Sequence, residues 1–375
     1  MNSKKIIVAM SGGVDSSVVA SLLKDSGHDV LGVFLKFWQD KCSIDSENKC
    51  CSSDSLKRAK KVAKILDIPF YVYDCSQEFK KNVVDYFIKE YSQGKTPNPC
   101  VVCNKKIKFG FLFDKMKAIG ANYLATGHYI IKKESRIKNP CLIGRSPRRR
   151  QELRYKLFRA RDSKKDQTYF LYNLNQEKLS KLLFPLGDYK KSKVRQLAKK
   201  FKLPVAKTRE SQDVCFLPRE GLEIFLKKYI KNIVPGLIFN TEGKKVGMHQ
   251  GLPFYTIGQR KGIKIGGGKP YYVVEKNIEA NKLVVTQDLK DERLLTTKFE
   301  VFDINWLSTG ALKFPQNVYC QVRYRQKVIK AKIAKYDKSK KTCLVELEDF
   351  QRAVTSGQSA VFYKGEELLG GGIIK

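Results

Sequence analysis

The nine residues AMSGGVDSS, Ala9 to Ser17, constrain the fold most, because of what stands on either side of them. The run KKIIVAM reads as a buried strand. DSSVVASLLKDSG reads as a helix, with Val18, Val19, Leu22 and Leu23 on one face and Gly27 as its stop. A glycine-rich turn between a first strand and a first helix brings backbone N–H groups to the carboxyl edge of a sheet, a place suited to an anion. Gly12 and Gly13 allow the sharp turn and leave room for phosphate oxygens. Ser11, Ser16 and Ser17 add hydroxyl donors, one of which can cap the helix. The stretch lacks both GK[ST] and GxGxxG, so it is neither a P-loop nor a dinucleotide fingerprint.

The alternation continues to about residue 131. DVLGVFLKFW and FYVYDC read as strands, and SSDSLKRAKKVAKILDIP as a helix capped near Ser53 or Asp54. SQEFKKNVVDYFIKEYSQG reads as a further helix, and IKFGFLFDKMKAIGANYLATGHY as helix then strand. This predicts an α/β fold, a doubly wound parallel sheet of Rossmann-like type. Residues 132–150 are polar and end in RSPRRR, which reads as an exposed insertion. The stretch from Gln167 to Pro204 reads as mostly helical and very basic, with Lys190 to Lys202 as a solvated, backbone-binding surface. After about residue 233 the texture turns to short, Gly-rich strands, and the last part suggests a small barrel or sandwich. Alternation in VYCQVRYR places Val318, Cys320, Val322 and Tyr324 on one face and Gln321, Arg323 and Arg325 on the other. Three domains are expected: 1–232 for nucleotide binding and catalysis, 233–297 as a small central domain, and 298–375 as a C-terminal β-barrel.

Charge says what such a fold meets. Against 37 acidic residues stand 73 Lys and Arg, a net +36. A field of this sign favours a polyanion, and neutralised phosphates dominate nucleic-acid affinity. The N-terminal apolar run is too short for a signal peptide, and no stretch approaches the roughly 20 residues of a membrane helix. The reading is a cytoplasmic protein with no membrane association. Its ten cysteines are then no disulfide scaffold, and Cys320 and Cys343 read as buried small hydrophobes.

SGGVDS after a first strand resembles the phosphate loop of the PP-loop ATP pyrophosphatases. In that superfamily the β and γ phosphates are held while a nucleophile attacks the α phosphate. Further along, TPNPCVVCNKKIKF, LATGHY, KKDQTYFLYNL, FPLGDYKKSKVR, QDVCF, YTIGQRKGI, VRYRQ and AVTSGQSAVFY occur in the order seen in the tRNA-specific 2-thiouridylase family. The resemblance spans Ser11 to Ile374. It implies ATP-dependent adenylation of the C2 oxygen of the wobble uridine in tRNAs for Lys, Glu and Gln. Sulfur then replaces that oxygen, and AMP and pyrophosphate are released. It implies Cys103 as nucleophile and Cys215 as the persulfide carrier, the two able to join as a disulfide during turnover. Matched ATP contacts are Ala9, Met10, Ser11, Gly12, Gly13, Val14, Asp15, Ser16, Leu35 and Gly127. Asn98, Pro99 and Cys100 match the stretch facing the target base. His128, Lys165, Asp166, Gln167, Arg323, Tyr324 and Gln358 match tRNA contacts. The implied partners are tRNA and a persulfide donor, a cysteine desulfurase or a relay protein. Three positions depart from the family pattern: Leu35 where Met is frequent, Ser356 where Pro is common, and Cys100 where some members carry Asp.

The CxxC of Cys100 and Cys103 admits several chemistries. A structural zinc site needs about four ligands, yet the chain has one CxxC and three histidines. Cys42, Cys50 and Cys51 could complete it, but adjacent cysteines do not easily both ligate in tetrahedral geometry, and no other role is assigned to Cys50 and Cys51. A thioredoxin-like pair sits at a helix start, whereas Pro97 and Pro99 favour a rigid loop here. Cys100, Cys103 and Cys215 could hold an iron–sulfur cluster with one open iron. The leading reading is that Cys103 works with Cys215 while Cys100 lines the base pocket, and no resident metal is assigned. Lys105, Lys106 and Lys108, with a helix expected to begin at CNKKIKF, would favour a thiolate at Cys103, and Arg209 and Arg219 one at Cys215. Asp15 is a candidate for the Mg²⁺ that accompanies ATP, or a simple helix-start residue. Tyr169 could stack on an extruded base or pack in the core. Two rival readings keep the loop: an ATP-dependent ligase using an amine, with both cysteines dispensable, and an RNA-binding module without turnover.

Overall fold

The computed structural model describes residues 3–40, 53–138, 151–208, 214–266, 268–307 and 312–375. Its first sheet is parallel, in the order β3 (Phe70–Asp74), β2 (Asp29–Lys36), β1 (Lys5–Ala9), β4 (Tyr123–Ala125) and β7 (Leu182–Leu183). The alternating side chains of β1 explain why helices cover both faces. Ile6 and Val8 pack with Val18 and Val19 of α1 (Val14–Asp25), Ala59 and Val62 of α2 (Ser53–Ile65), and Val194 and Ala198 of a later helix. Ile7 points the other way, into a cluster with Phe79, Val83, Phe87, Val101, Cys103 and Ile107. That face is built by α3 (Ser76–Phe79) running through a π-helical turn into α4 (Asp85–Ser92), then by α5 (Pro99–Cys103), a second π-helical turn and α6 (Leu112–Ala118). The doubly wound parallel sheet read from the sequence is present.

Two stretches differ from expectation. The polar segment after residue 131 begins as a strand: β5 (Ile131–Lys138) pairs antiparallel with β6 (Gln151–Phe158) over eight residues, while RSPRRR lies outside the described residues. Lys132 explains part of this, because its ammonium donates to the carbonyls of Leu179 and Leu182. The segment from Gln167 to Pro204 is less helical than its composition suggests. It holds α7 (Gln176–Lys181), the fifth strand β7, and α8 (Lys191–Lys200), broken between them by the Pro185 and Gly187 turn. Gly187 sits so close to Ile130 that a Cβ there would meet its carbonyl at 2.2 Å.

After α9 (Leu222–Tyr229) the chain forms a four-stranded sheet in the order β10 (Tyr272–Asn277), β11 (Lys282–Thr286), β8 (Gly236–Asn240) and β9 (Lys245–His249). A small core of Ile238, Leu252, Val273, Leu283 and Val285 lies against it. The remaining strands are β12 (Leu295–Trp306), β13 (Gln316–Gln321), β14 (Ile329–Asp337), β15 (Thr342–Arg352), β16 (Ser359–Lys364) and β17 (Glu367–Ile374). They run in the order β12-β15-β14-β13-β16-β17, and β12 pairs back onto β17, which closes a six-stranded barrel. The hairpin of the first domain then adds to the outside: Glu367 and Leu368 of β17 pair with Phe158 and Leu157 of β6. Val361, Tyr363 and Leu368 of the barrel belong to the same apolar cluster as Ile7 and Cys103.

The alternation read in VYCQVRYR holds in burial past β13: Val318, Cys320 and Val322 are core residues, while Arg323 and Arg325 are exposed. Gln321 lies on the face opposite Cys320, as read, but that face is covered there, and it accepts from the Tyr363 hydroxyl and donates to the Gln326 carbonyl. The strand ends there, and a turn with Arg325 at φ 65° follows. Cys320 and Cys343 are buried core residues, as read, and burial pushes both thiols up, Cys343 to about 12.

Candidate active site

The phosphate loop is held by bonds within itself and by bonds to β2 and α2. Met10 N–H donates to Val33 O, which extends the β1–β2 pairing by one residue. Ser16 Oγ accepts from Ser11 N–H at 3.1 Å, and Ser17 Oγ donates to Gly13 O at 2.8 Å. Gly13 occupies the N-cap of α1 with no side-chain cap, so nothing from the cap competes for the first-turn N–H groups. Gly12 takes φ 74°, and a Cβ there would stand 2.1 Å from Ser55 O of α2. Gly127, after β4, presses on the same helix start, where a Cβ would come within 2.9 Å of Ser16 N. Leu35 lies near the carboxyl end of β2. The ten ATP positions matched from the sequence therefore lie along one sheet edge.

Sequence reasoning named Asp15 but missed the two cations around this loop, Arg58 and Lys191. Arg58 of α2 donates to Gly12 O at 3.1 Å and to Ser55 Oγ at 2.9 Å. Asp15 in the first turn of α1 meets Lys191 Nζ at 2.6 and 2.7 Å and accepts from the Tyr129 hydroxyl at 2.6 Å. Lys191 was read as part of a solvated surface, yet its side chain is only 11% exposed. Its place as the first residue of α8, just after the Gly187 turn, brings it inward, and its backbone N–H donates to Asp162 Oδ2.

The cysteine segment differs from expectation in its start. Pro97 and Pro99 suggested a rigid loop, but Pro99 takes the first helical position, which suits its fixed φ and missing N–H. The helix thus begins four residues before CNKKIKF. Cys100, half-buried, stands in its first turn, nearest the free N–H groups, and Cys103 is buried one turn further in. Lys105, expected beside the thiol, lies 3.6 Å from Asp303 at the surface. Cys215 is half-buried and packs against the same apolar cluster as Cys103. Arg209, Cys42, Cys50 and Cys51 lie outside the described residues. Among the described residues no three His, Cys, Asp or Glu side chains are grouped so that they could hold a metal ion.

The loop before this helix is held from a distance. Thr96 N–H donates to Ser356 O, and Gln358 Nε2 donates to Thr96 O at 2.8 Å and to Pro97 O at 3.4 Å, all from the barrel. From the central sheet come Thr256, whose hydroxyl is 3.2 Å from that of Thr96, and Lys276, whose ammonium donates to Gly94 O and Tyr255 O. Burial lowers Lys276 to about 8. Tyr169 is core: its hydroxyl donates to Ser359 O at 3.0 Å and also meets the Asn98 side chain. Phe170 and Tyr324 face each other at 4.4 Å, and the Arg325 guanidinium covers Tyr324 at 5.3 Å.

The matched tRNA positions divide into outward and inward side chains. Arg323 is exposed and donates to Ala353 O. Lys165 is half-exposed. Asp166 turns inward, accepting from Ala160 N–H and the Thr168 hydroxyl, and burial raises its carboxyl. Gln167 accepts from Tyr129 N–H. His128 is buried against Phe109 and Phe184, with Nδ1 2.8 Å from the Thr126 hydroxyl. Burial, helped by Lys108, holds it far below the usual histidine range, so the ring is neutral at pH 7.

Three family models match in chain order: the tRNA methyl transferase HUP domain over residues 4–219, the tRNA methyl transferase PRC-barrel domain over 223–287, and the aminomethyltransferase beta-barrel domain over 296–374. A tRNA-specific 2-thiouridylase MnmA from Caldicellulosiruptor saccharolyticus is 44% identical over 99% of this chain and 98% of its own. The chain belongs to the tRNA-specific 2-thiouridylase family. Relatives of the same name from Clostridium tetani and Clostridium perfringens are 45% and 43% identical, each over 99% or more of this chain and 99% of their own. The 2-thiouridylase family match therefore covers the phosphate edge, the cysteine helix and the barrel together, and the family is one that uses ATP at its PP-loop. Among the described residues no helix is long and apolar enough to cross a membrane.

Proposed function

We propose that this chain is a tRNA-uridine 2-sulfurtransferase that thiolates the wobble uridine of tRNAs for Lys, Glu and Gln in the cytoplasm. The observation that carries the reading is the seat of the cysteine helix: its leading loop is gripped by the barrel through Ser356 and Gln358 and by the central sheet through Thr256 and Lys276. A base presented there meets Asn98, Pro99 and Cys100 on one side and the phosphate edge on the other. ATP with Mg²⁺ occupies the loop from Ala9 to Ser16, with Leu35 and Gly127 at its border. The uridine O2 attacks the α phosphorus and pyrophosphate leaves. The terminal sulfur of a persulfide on Cys215 then attacks C2 and AMP departs. Cys103 thiolate attacks the Cys215 sulfur and breaks the S–S bond, which leaves 2-thiouridine and a Cys103–Cys215 disulfide that a thiol reductant reopens. The sulfur comes from a desulfurase or relay protein carrying a persulfide.

The parts 1–232, 233–297 and 298–375 share the tRNA, which gives the +36 charge its use. Arg323, Tyr324 and Lys165 meet it directly. His128, Asp166, Gln167 and Gln358 shape the surface it meets. The test is thiolation of unmodified tRNA-Lys by anaerobically purified protein with ATP and a persulfide donor. Loss with Cys103→Ala and Cys215→Ala, retention with Cys100→Ala, and no bound iron are expected. Loss in all three that tracks bound iron would replace the persulfide route with a cluster.

A further inference from the structure

Lys191 has a position that its pairing with Asp15 alone does not explain. It lies in α8, far along the chain from the phosphate loop, yet its ammonium reaches the first turn of the helix that the loop opens. There it meets both carboxylate oxygens of Asp15, while Tyr129 O–H donates to one of them and the Lys191 ammonium stands 5.7 Å from the Tyr129 ring. The Asp15 Cβ in turn borders Gly127, at the rim of the loop. A carboxylate beside an anion-binding loop repels the phosphates that the loop is built to hold. It is, however, a good oxygen ligand for the hard cation that accompanies them. An ammonium on a flexible four-carbon stem is a point-charge phosphate ligand.

We propose that Lys191 is a phosphate ligand held in reserve by Asp15. When Mg·ATP enters, Asp15 turns to the cation, and the Lys191 ammonium passes to the β or γ phosphate and stays with the pyrophosphate as it leaves. The inference rests on the ATP reading of the loop and adds a second, movable cation to it. The competing role is purely structural, with the pair only tying α1 to α8.

Equilibrium binding of Mg·ATP, pyrophosphate and AMP to the full chain, wild type against Lys191→Gln and Lys191→Arg, separates the two roles. The expected result for Lys191→Gln is about tenfold or weaker binding of Mg·ATP and pyrophosphate, the loss of one charge-assisted contact. AMP should change less than about twofold on the same reasoning, and Lys191→Arg should recover most of the difference. Because Lys191→Gln leaves a carboxylate without its cation, the same substitution is also made on Asp15→Asn, where no such charge remains. Pyrophosphate should again weaken about tenfold relative to Asp15→Asn alone. Equal loss for all three ligands, or no loss, overturns the proposal and leaves the ATP reading standing. Wild type that binds AMP but neither Mg·ATP nor pyrophosphate overturns both.

Discussion

The phosphate loop and the cysteine helix are built by opposite means. In the loop, Ser11, Gly13, Ser16 and Ser17 bond to one another, so consecutive residues hold the shape. The turn that leads into α5 makes its decisive bonds with Ser356, Gln358, Thr256 and Lys276, all more than a hundred residues away in sequence. The shape of the loop thereby depends on the first domain, whereas the position of the cysteines depends on how three parts of the chain meet. The difference separates what each substitution should damage.

The sharpest break is Gly12→Ala. A left-handed φ and a Cβ 2.1 Å from the Ser55 carbonyl cost on the order of 1–3 kcal/mol. ATP affinity should fall about tenfold or more on that figure, while tRNA affinity by filter binding stays unchanged. A loop that tolerates alanine would show that α2 yields and that the seat is less fixed than its contacts imply.

Gln358→Ala attacks the other region. It removes two bonds to the loop carbonyls, worth about 1–2 kcal/mol together. Thiolation kcat should drop roughly tenfold with ATP affinity intact. A parallel loss of ATP binding would mean that the two regions are not independent.

Arg323→Ala should weaken tRNA a few-fold, reduce the salt dependence of binding by about one unit of slope, and spare ATP. An unchanged salt slope would remove Arg323 from the tRNA surface.

The smallest effect concerns Lys276. Burial holds it near 8, against about 10.5 for an unfolded chain. Between those values the unfolded chain binds the proton and the folded one has released it, so folding gains as pH rises from about 8 to 10. Compared with Lys276→Met, wild type should therefore gain stability across that window in urea titrations. Parallel profiles would mean that the ammonium is better solvated than its burial suggests.

The same contrast explains what could be read from the sequence. The loop, the strand before it and the helix after it are local, and SGGVDS with its flanking periodicities announced them. The parallel sheet followed from alternation. Lys191 carried no local sign, since it sits among five other lysines between Lys190 and Lys202 and only the turn at Pro185 and Gly187 turns it inward. Gln321 looked like an exposed residue because period-two alternation does not show what covers the outer face of a barrel, here Tyr363 of the adjacent β16 and the apolar cluster of the first domain. Pro99 was read as a loop former, although a proline at a first helical position starts a helix as readily as it blocks one. The hairpin of β5 and β6 was masked by its polar composition, which suits strands with one wet face.

That hairpin has a consequence for how the protein is made. β6 emerges from the ribosome long before β17, yet among the described residues its outer edge pairs with β17 alone. Until β16 and β17 are made, the first domain carries an open strand edge, and the apolar cluster around Ile7 and Cys103 lacks Val361, Tyr363 and Leu368. Such an edge invites pairing with another chain, so a nascent or truncated product is the form most exposed to aggregation. β17 thus acts as a closing stitch: a candidate site begun by β1 is finished only when β17 has left the ribosome.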